Sequence, residues 1–166
     1  MTTSPQHDGS SNGTPAVANL GVVRPPLVYL SSVVAGTVLD VVWPLPFFPR
    51  ALALPVGSSL VVVAMALFSY SVRQLRAAGT PVPGNRPTTV IVRTGPYRFG
   101  RNPIYLAFSL LHLGIAIWVD SLWLIASLVA AVALMALVVI PREERYLERR
   151  FGAEYLDYKA SARRWL

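Results

Sequence analysis

The sequence predicts an all-α membrane protein: four transmembrane helices, the last two a C-terminal helical hairpin, followed by a cytosolic amphipathic helix. Three observations carry this. Hydrophobic residues make up 54% of the 166-residue chain and charged residues only 14%, against about 25% charged in soluble domains. So few charges cannot cover a water-facing surface, whereas lipid accepts an apolar exterior. Four apolar runs of membrane-spanning length stand apart from one another. The basic residues are also distributed very unevenly around them.

The spans are Leu27 to Trp43, Leu52 to Val72, Pro103 to Val119 and Ser121 to Ile140. Each falls within the roughly 17–25 residues that cross a bilayer as a helix. Arg24 precedes the first span, six arginines lie in or near the connection between spans two and three, and seven basic residues follow span four. Arg50 alone falls on the other side. The positive-inside rule then places both termini in the cytosol. The short four-span form, with no organelle-targeting segment, points to a multi-pass protein of the plasma membrane. Trp43, Trp118 and Trp123 gather at the opposite boundary, as an aromatic belt would.

Residues 1–24 are rich in Thr, Ser, Gly, Pro and Asn, a composition expected to form a disordered tail. It has neither the basic start nor the apolar run of a secretory signal. With no cysteine in the chain, disulfides, thiolate nucleophiles and Cys-based zinc sites are excluded. The net charge of +7 belongs to the membrane-flanking segments, so the bilayer rather than nucleic acid is the expected partner.

The link between spans three and four is very short, around Asp120 and Ser121, so they must form a tight antiparallel hairpin. Span three rises about 25 Å and span four descends about 30 Å at 1.5 Å per residue. Glu143 and Glu144 therefore return to the depth of Tyr97 to Asn102. Between spans two and three, Gly79-Thr80-Pro81-Val82-Pro83-Gly84 is turn material, Thr88 to Val92 is extended, and Gly95-Pro96 is a turn. Pro103 suits a first helical turn. Glu143 to Phe151 is expected to be helical, with Gly152 ending or bending the helix. His112, in the middle of span three, is expected to hydrogen-bond a neighbouring helix as the neutral ring. Tyr146 and Tyr155 are read as interfacial aromatics.

Two strings carry the chemistry. One is Arg93-Thr94-Gly95-Pro96-Tyr97-Arg98-Phe99-Gly100-Arg101-Asn102-Pro103-Ile104-Tyr105. The other is Glu143-Glu144 with Phe151-Gly152-Ala153-Glu154-Tyr155-Leu156-Asp157-Tyr158. By charge alone Glu143 and Glu144 are as consistent with an interfacial cluster paired to Arg142 and Arg145 as with a site. Together the strings resemble the isoprenylcysteine carboxyl methyltransferase family and the related phospholipid methyltransferases. Their pattern is G-x-Y-x-x-x-R-[H/N]-P-x-Y, a helical hairpin, E-E, then F-G-x-x-Y-x-x-Y. The resemblance covers about residues 75–160 and implies a membrane methyltransferase-like domain over 25–166.

That resemblance implies S-adenosyl-L-methionine as cofactor. It places contacts at Tyr97, Asn102, Pro103, Tyr105 and Glu143, with backbone from Thr89, Val90, Ile91 and Val92. Glu144 offers a second carboxylate for the cofactor's amino group or ribose, and Arg98 or Arg101 a charge-assisted partner for its carboxylate. The cofactor has no phosphate, and the chain has no G-x-G-x-x-G. Prenylcysteine enzymes carry an Arg one turn before the first Glu. Here that position is Val139, with Arg142 left as a substrate-binding candidate. The acceptor is expected to be lipophilic, or small and membrane-accessible: a carboxylate, thiol, amine or hydroxyl. Two alternatives stay open at this point, an NADPH-dependent reductase of sterol-reductase-like fold and a non-catalytic membrane partner protein. No metal site is expected, and no catalytic residue is assigned.

Overall fold

A computed structural model of the chain describes residues 24–82 and 87–165. The tail expected at the N-terminus lies outside the described residues, apart from Arg24, as do Pro83 and Gly84 of the expected turn. The described chain is helical, with one isolated β-bridge between Gly100 and Arg163. The helices are α1 (Pro25–Val42), α2 (Arg50–Ala77), α3 (Pro103–Val119), α4 (Leu122–Leu134), α5 (Ile140–Phe151) and α6 (Ala153–Ser161), with a 3₁₀ turn at Gly95–Arg98.

Among the described residues, three helical stretches are long and apolar enough to cross a membrane: α1, α2 and the continuous run Leu122–Phe151. α3 is equally apolar but shorter, at 17 residues. Helix starts follow local chemistry. Proline occupies the first turn of α1 and of α3, where its missing N–H costs nothing. Ser121 caps α4 by accepting from the Leu124 N–H at 3.3 Å.

Two boundaries differ from the sequence reading. α2 runs to Ala77, so Arg73 to Ala77 are helical rather than loop. Its 28 residues span about 42 Å, more than a hydrocarbon core of about 30 Å, so its last turns continue beyond the apolar zone. Residues Glu143 to Phe151 also form no helix separate from span four. α4 passes through a π turn at Met135–Val139 directly into α5. Pro141 follows that turn. In a regular helix its ring would clash with the carbonyl four residues back, and a widened turn is how a helix absorbs such a conflict.

α2 packs along α3, and α1 against α4. The α3–α4 turn is held by Asp120, which adopts φ +57°. Its Oδ1 accepts from the Phe47 and Phe48 N–H groups at 2.8 and 2.6 Å, tying the α1–α2 connection to the hairpin. In mid-bundle His112 is buried between two hydroxyls, Ser32 on its Nδ1 side at 3.4 Å and Ser127 on its Nε2 side at 3.3 Å. That matches the expectation of a ring bonded to neighbouring helices.

The α2–α3 crossing depends on Gly57 and Gly114. A Cβ on Gly57 would sit 2.8 Å from the Gly114 carbonyl oxygen and 2.8 Å from the Trp118 backbone N. Apolar helices associate in lipid through such close packing of small residues. Gly57→Ala is expected to destabilise the protein by about 1–3 kcal/mol, read as a lower thermal midpoint in detergent.

Candidate active site

The hairpin delivers two polar segments to the basic end of the bundle. α3 starts directly after Arg101 and Asn102, so its first turn carries Tyr105. α5 descends to the same level with Glu143 and Glu144. The Tyr105 hydroxyl donates to Glu143 Oε1 at 2.7 Å across 38 residues of sequence. This contact realises the meeting that hairpin length predicts.

Around it lies a cavity. The strings meet there: Val90, Ile91, Val92, Tyr97, Arg101, Asn102, Pro103, Tyr105, Glu143 and Glu144 all line it. Thr89 and Arg142 do not. Thr89 is exposed and braces the loop, its N–H bonded to Thr80 Oγ1 at 3.0 Å. Thr88 lines the cavity in its place. Arg142 is exposed, one step around the helix from Glu143.

The structure adds residues that sequence reasoning missed. Tyr146 and Tyr155, read as interfacial aromatics, are buried and line the cavity together with Tyr158. The repeat of tyrosine at 155 and 158, one helical turn apart, was the available signal. Pro25, Pro26, Phe68 and Phe108 form an apolar side contributed by α1, α2 and α3, and nothing local in the sequence marks them.

The two carboxylates have different surroundings. Glu144 accepts from Arg101 Nη2 at 2.9 Å and from Arg164 Nη2 at 2.8 Å. Glu143 has no ion-pair partner among the described residues; its neighbour is the Tyr105 hydroxyl. Burial therefore pushes the Glu143 carboxyl up to about 7; the Tyr105 hydrogen bond opposes the rise and the nearby Glu144 charge adds to it. Burial likewise raises Tyr97 and Tyr155 and pushes Tyr158 up to about 12, so all three remain neutral donors at physiological pH.

Among the described residues, three buried polar atoms of cavity-lining side chains lack a hydrogen-bond partner: the Tyr97 and Tyr146 hydroxyls and Arg101 Nε. Unpaired buried donors are costly, and the three side chains that carry them all line the cavity. With Glu143 these groups can receive an ammonium, a carboxylate or hydroxyls, while the tyrosine rings offer faces to an aromatic or cationic group.

Fold and site together define a helical membrane protein with a tyrosine-rich, carboxylate-bearing cavity at one end of its bundle. The sequence matches the phospholipid methyltransferase family over residues 52–154, and the chain belongs to that family of membrane methyltransferases. Among individual proteins it is similar to a nickel-cobalt-cadmium resistance protein, NccN, of Alcaligenes xylosoxydans xylosoxydans. Those two are 38% identical over 73 residues, covering 44% of this chain and 34% of the relative. It is also similar to an uncharacterized protein of Haemophilus influenzae, 35% identical over 63 residues, covering 38% of this chain and 100% of that one. The chain thus spans about a third of the length of NccN. No solved structure matches it. The family match favours methyl transfer over the reductase alternative.

Proposed function

We propose that this protein is an integral membrane methyltransferase that uses S-adenosyl-L-methionine and acts on a lipophilic or small membrane-accessible acceptor. The observation that carries the reading is the cavity itself. Among the described residues it combines a buried carboxylate that has no ion-pair partner with hydroxyl and guanidinium donors that have no hydrogen-bond partner, a donor set that fits the amino acid end of this cofactor. When bound, the cofactor supplies a methyl group on a sulfonium, an electrophile that needs no metal.

The chain's own residues then bind, orient and exclude water. Glu143 pairs with the cofactor's ammonium, fixed from behind by Tyr105. Tyr97 and Arg101 Nε bond to its polar end. Val90, Ile91, Val92 and Pro103 pack its sides, and Asn102 and Glu144 shape the wall. The apolar side formed by Pro25, Pro26, Phe68 and Phe108 faces the helical bundle and suits an acceptor arriving from lipid. Arg142, exposed near the rim, can meet an anionic group of that acceptor outside the cavity.

Methyl transfer is an in-line displacement, so alignment and water exclusion supply most of the acceleration. We read α3 as a fourth span, since 17 apolar residues reach about 25 Å. Both termini then lie in the cytosol of a plasma-membrane protein, where the cofactor is available. Calorimetric titration of the detergent-purified protein tests the reading. Wild type should bind the cofactor, and Tyr97→Phe should weaken binding about three- to tenfold, the worth of one neutral hydrogen bond. Absence of heat in wild type, or unchanged affinity in Tyr97→Phe, would refute the assignment.

A further inference from the structure

The C-terminal end of the chain lies beyond the family match, which stops at residue 154, yet it makes a dense set of contacts with the motif loop. Arg101 N–H donates to the Arg163 carbonyl at 2.9 Å, and Arg163 N–H to the Phe99 carbonyl at 3.3 Å. Asn102 Nδ2 donates to the Arg164 carbonyl at 2.8 Å. Arg164 grips both Glu144 oxygens, Nε to Oε1 at 3.1 Å and Nη2 to Oε2 at 2.8 Å. Arg101 Nη2 donates to Glu144 Oε1 as well, at 2.9 Å, and Arg101 Nη1 to the Lys159 carbonyl at 2.8 Å.

These contacts fasten the far end of α6. Its near end begins at Gly152, which adopts φ +54° with open space where a side chain would be. Only glycine takes up that conformation without strain. Between the two ends, Tyr155 and Tyr158 form a wall of the cavity, and the Tyr158 hydroxyl donates to the Tyr97 carbonyl at 2.7 Å. A wall jointed at one end and clasped at the other is a lid.

We propose that α6 with residues 162–165 is the lid of the cavity, pivoting at Gly152, and that Glu144 is a positioning residue that latches it shut through Arg101 and Arg164. The inference rests on the methyltransferase reading for what the lid encloses, but not for the lid itself. The latch is asymmetric. Glu144 and Arg101 are nearly enclosed, at 8% and 9% side-chain exposure, whereas Arg164 is 41% exposed. The inner pair stays with the body of the protein, and Arg164 is the arm that releases. Glu144 with its two arginines thus governs entry and exit, leaving Glu143 as the carboxylate available to the cofactor.

Two measurements on the full chain in detergent test this. Hydrogen exchange of the 160–166 segment without cofactor reads the latch directly. Release of bound labelled S-adenosylmethionine into excess unlabelled cofactor reads the lid. Arg164→Ala, at an exposed position, should accelerate both by about tenfold, the scale of one charged hydrogen-bond pair. Cofactor association should also speed up, because a lid gates both directions, whereas losing a direct contact changes release alone. Arg164→Lys should restore part of the effect. Glu144→Gln should accelerate both at least as much as Arg164→Ala, because it also loses the Arg101 pair, and the double variant should be no faster than Glu144→Gln, whose loss already includes the Arg164 pair. Unchanged exchange of the 160–166 segment in Arg164→Ala would overturn the proposal, as would additive effects in the double variant. If wild type binds no cofactor, the methyltransferase reading falls, while the hydrogen-exchange arm still decides the latch.

Discussion

Glu143→Ala is expected to lower affinity for S-adenosylmethionine about ten- to a hundredfold, the largest single-residue effect in the site. Three features combine there. Glu143 is buried, its bond to Tyr105 fixes its direction, and it has no ion-pair partner among the described residues. A charge-assisted hydrogen bond contributes about 1.5–3 kcal/mol, and each 1.4 kcal/mol is about a factor of ten in affinity. Glu143→Gln keeps an acceptor for the Tyr105 hydroxyl but loses the charge, so it should fall between wild type and Ala. Tyr105→Phe should leave the charge and lose only its orientation, giving a smaller loss. Calorimetry across the three variants checks this order. If Glu143→Ala binds like wild type, the carboxylate does not hold the cofactor. Fold integrity is read separately by thermal melting, because Glu143→Ala also strands the Tyr105 hydroxyl at a cost of about 1–3 kcal/mol.

The meeting of Tyr105 with Glu143 was legible from lengths alone. Two apolar runs with a very short link around Asp120 and Ser121 can return the chain to one depth, and the 2.7 Å contact is the result. Which face of α5 points inward was not legible. The π turn at Met135–Val139 inserts an extra residue into one turn, rotating every downstream position by about 100° relative to a regular helix. No residue type announces it; Pro141 is the closest hint. Tyr146 therefore looked like an interfacial ring, and Arg142 looked as available to the cavity as its neighbour Glu143.

Hydropathy misplaced the end of α2 for a different reason. Apolar character tracks the bilayer, whereas Arg73 to Ala77 continue the helix by backbone hydrogen bonding beyond it. The C-terminal contacts were the least legible. Arg163 and Arg164 count equally in a charge tally, and only the folded chain sets them against Phe99, Asn102 and Glu144, across 20 to 64 residues.

Below about pH 7, cofactor affinity is expected to fall about tenfold per pH unit, while the empty protein gains stability from the same group. The opposite signs follow from one carboxyl. Burial raises Glu143 from its ordinary 4.5 to about 7, so the folded chain holds this proton where the unfolded chain has already lost it. The stability contribution is fully present below pH 4.5, declines as pH rises from about 4.5 to about 7, and is level above. The whole excursion is on the order of 3 kcal/mol. A cofactor ammonium instead needs the ionised carboxylate, so binding below pH 7 must expel a proton, and affinity loses one decade per unit of acidification. Calorimetry between pH 5.5 and 7 in buffers of different ionisation enthalpy should detect that released proton. Melting curves of the empty protein over the same range should be compared with Glu143→Gln, so that only this group's contribution remains. In Glu143→Gln both dependences should vanish together. A pH-dependent affinity that survives in Glu143→Gln would place the titrating group elsewhere. Because the proton and the cofactor compete for one buried oxygen pair, the cavity closes on a cation only at the cost of the neutral form that burial prefers.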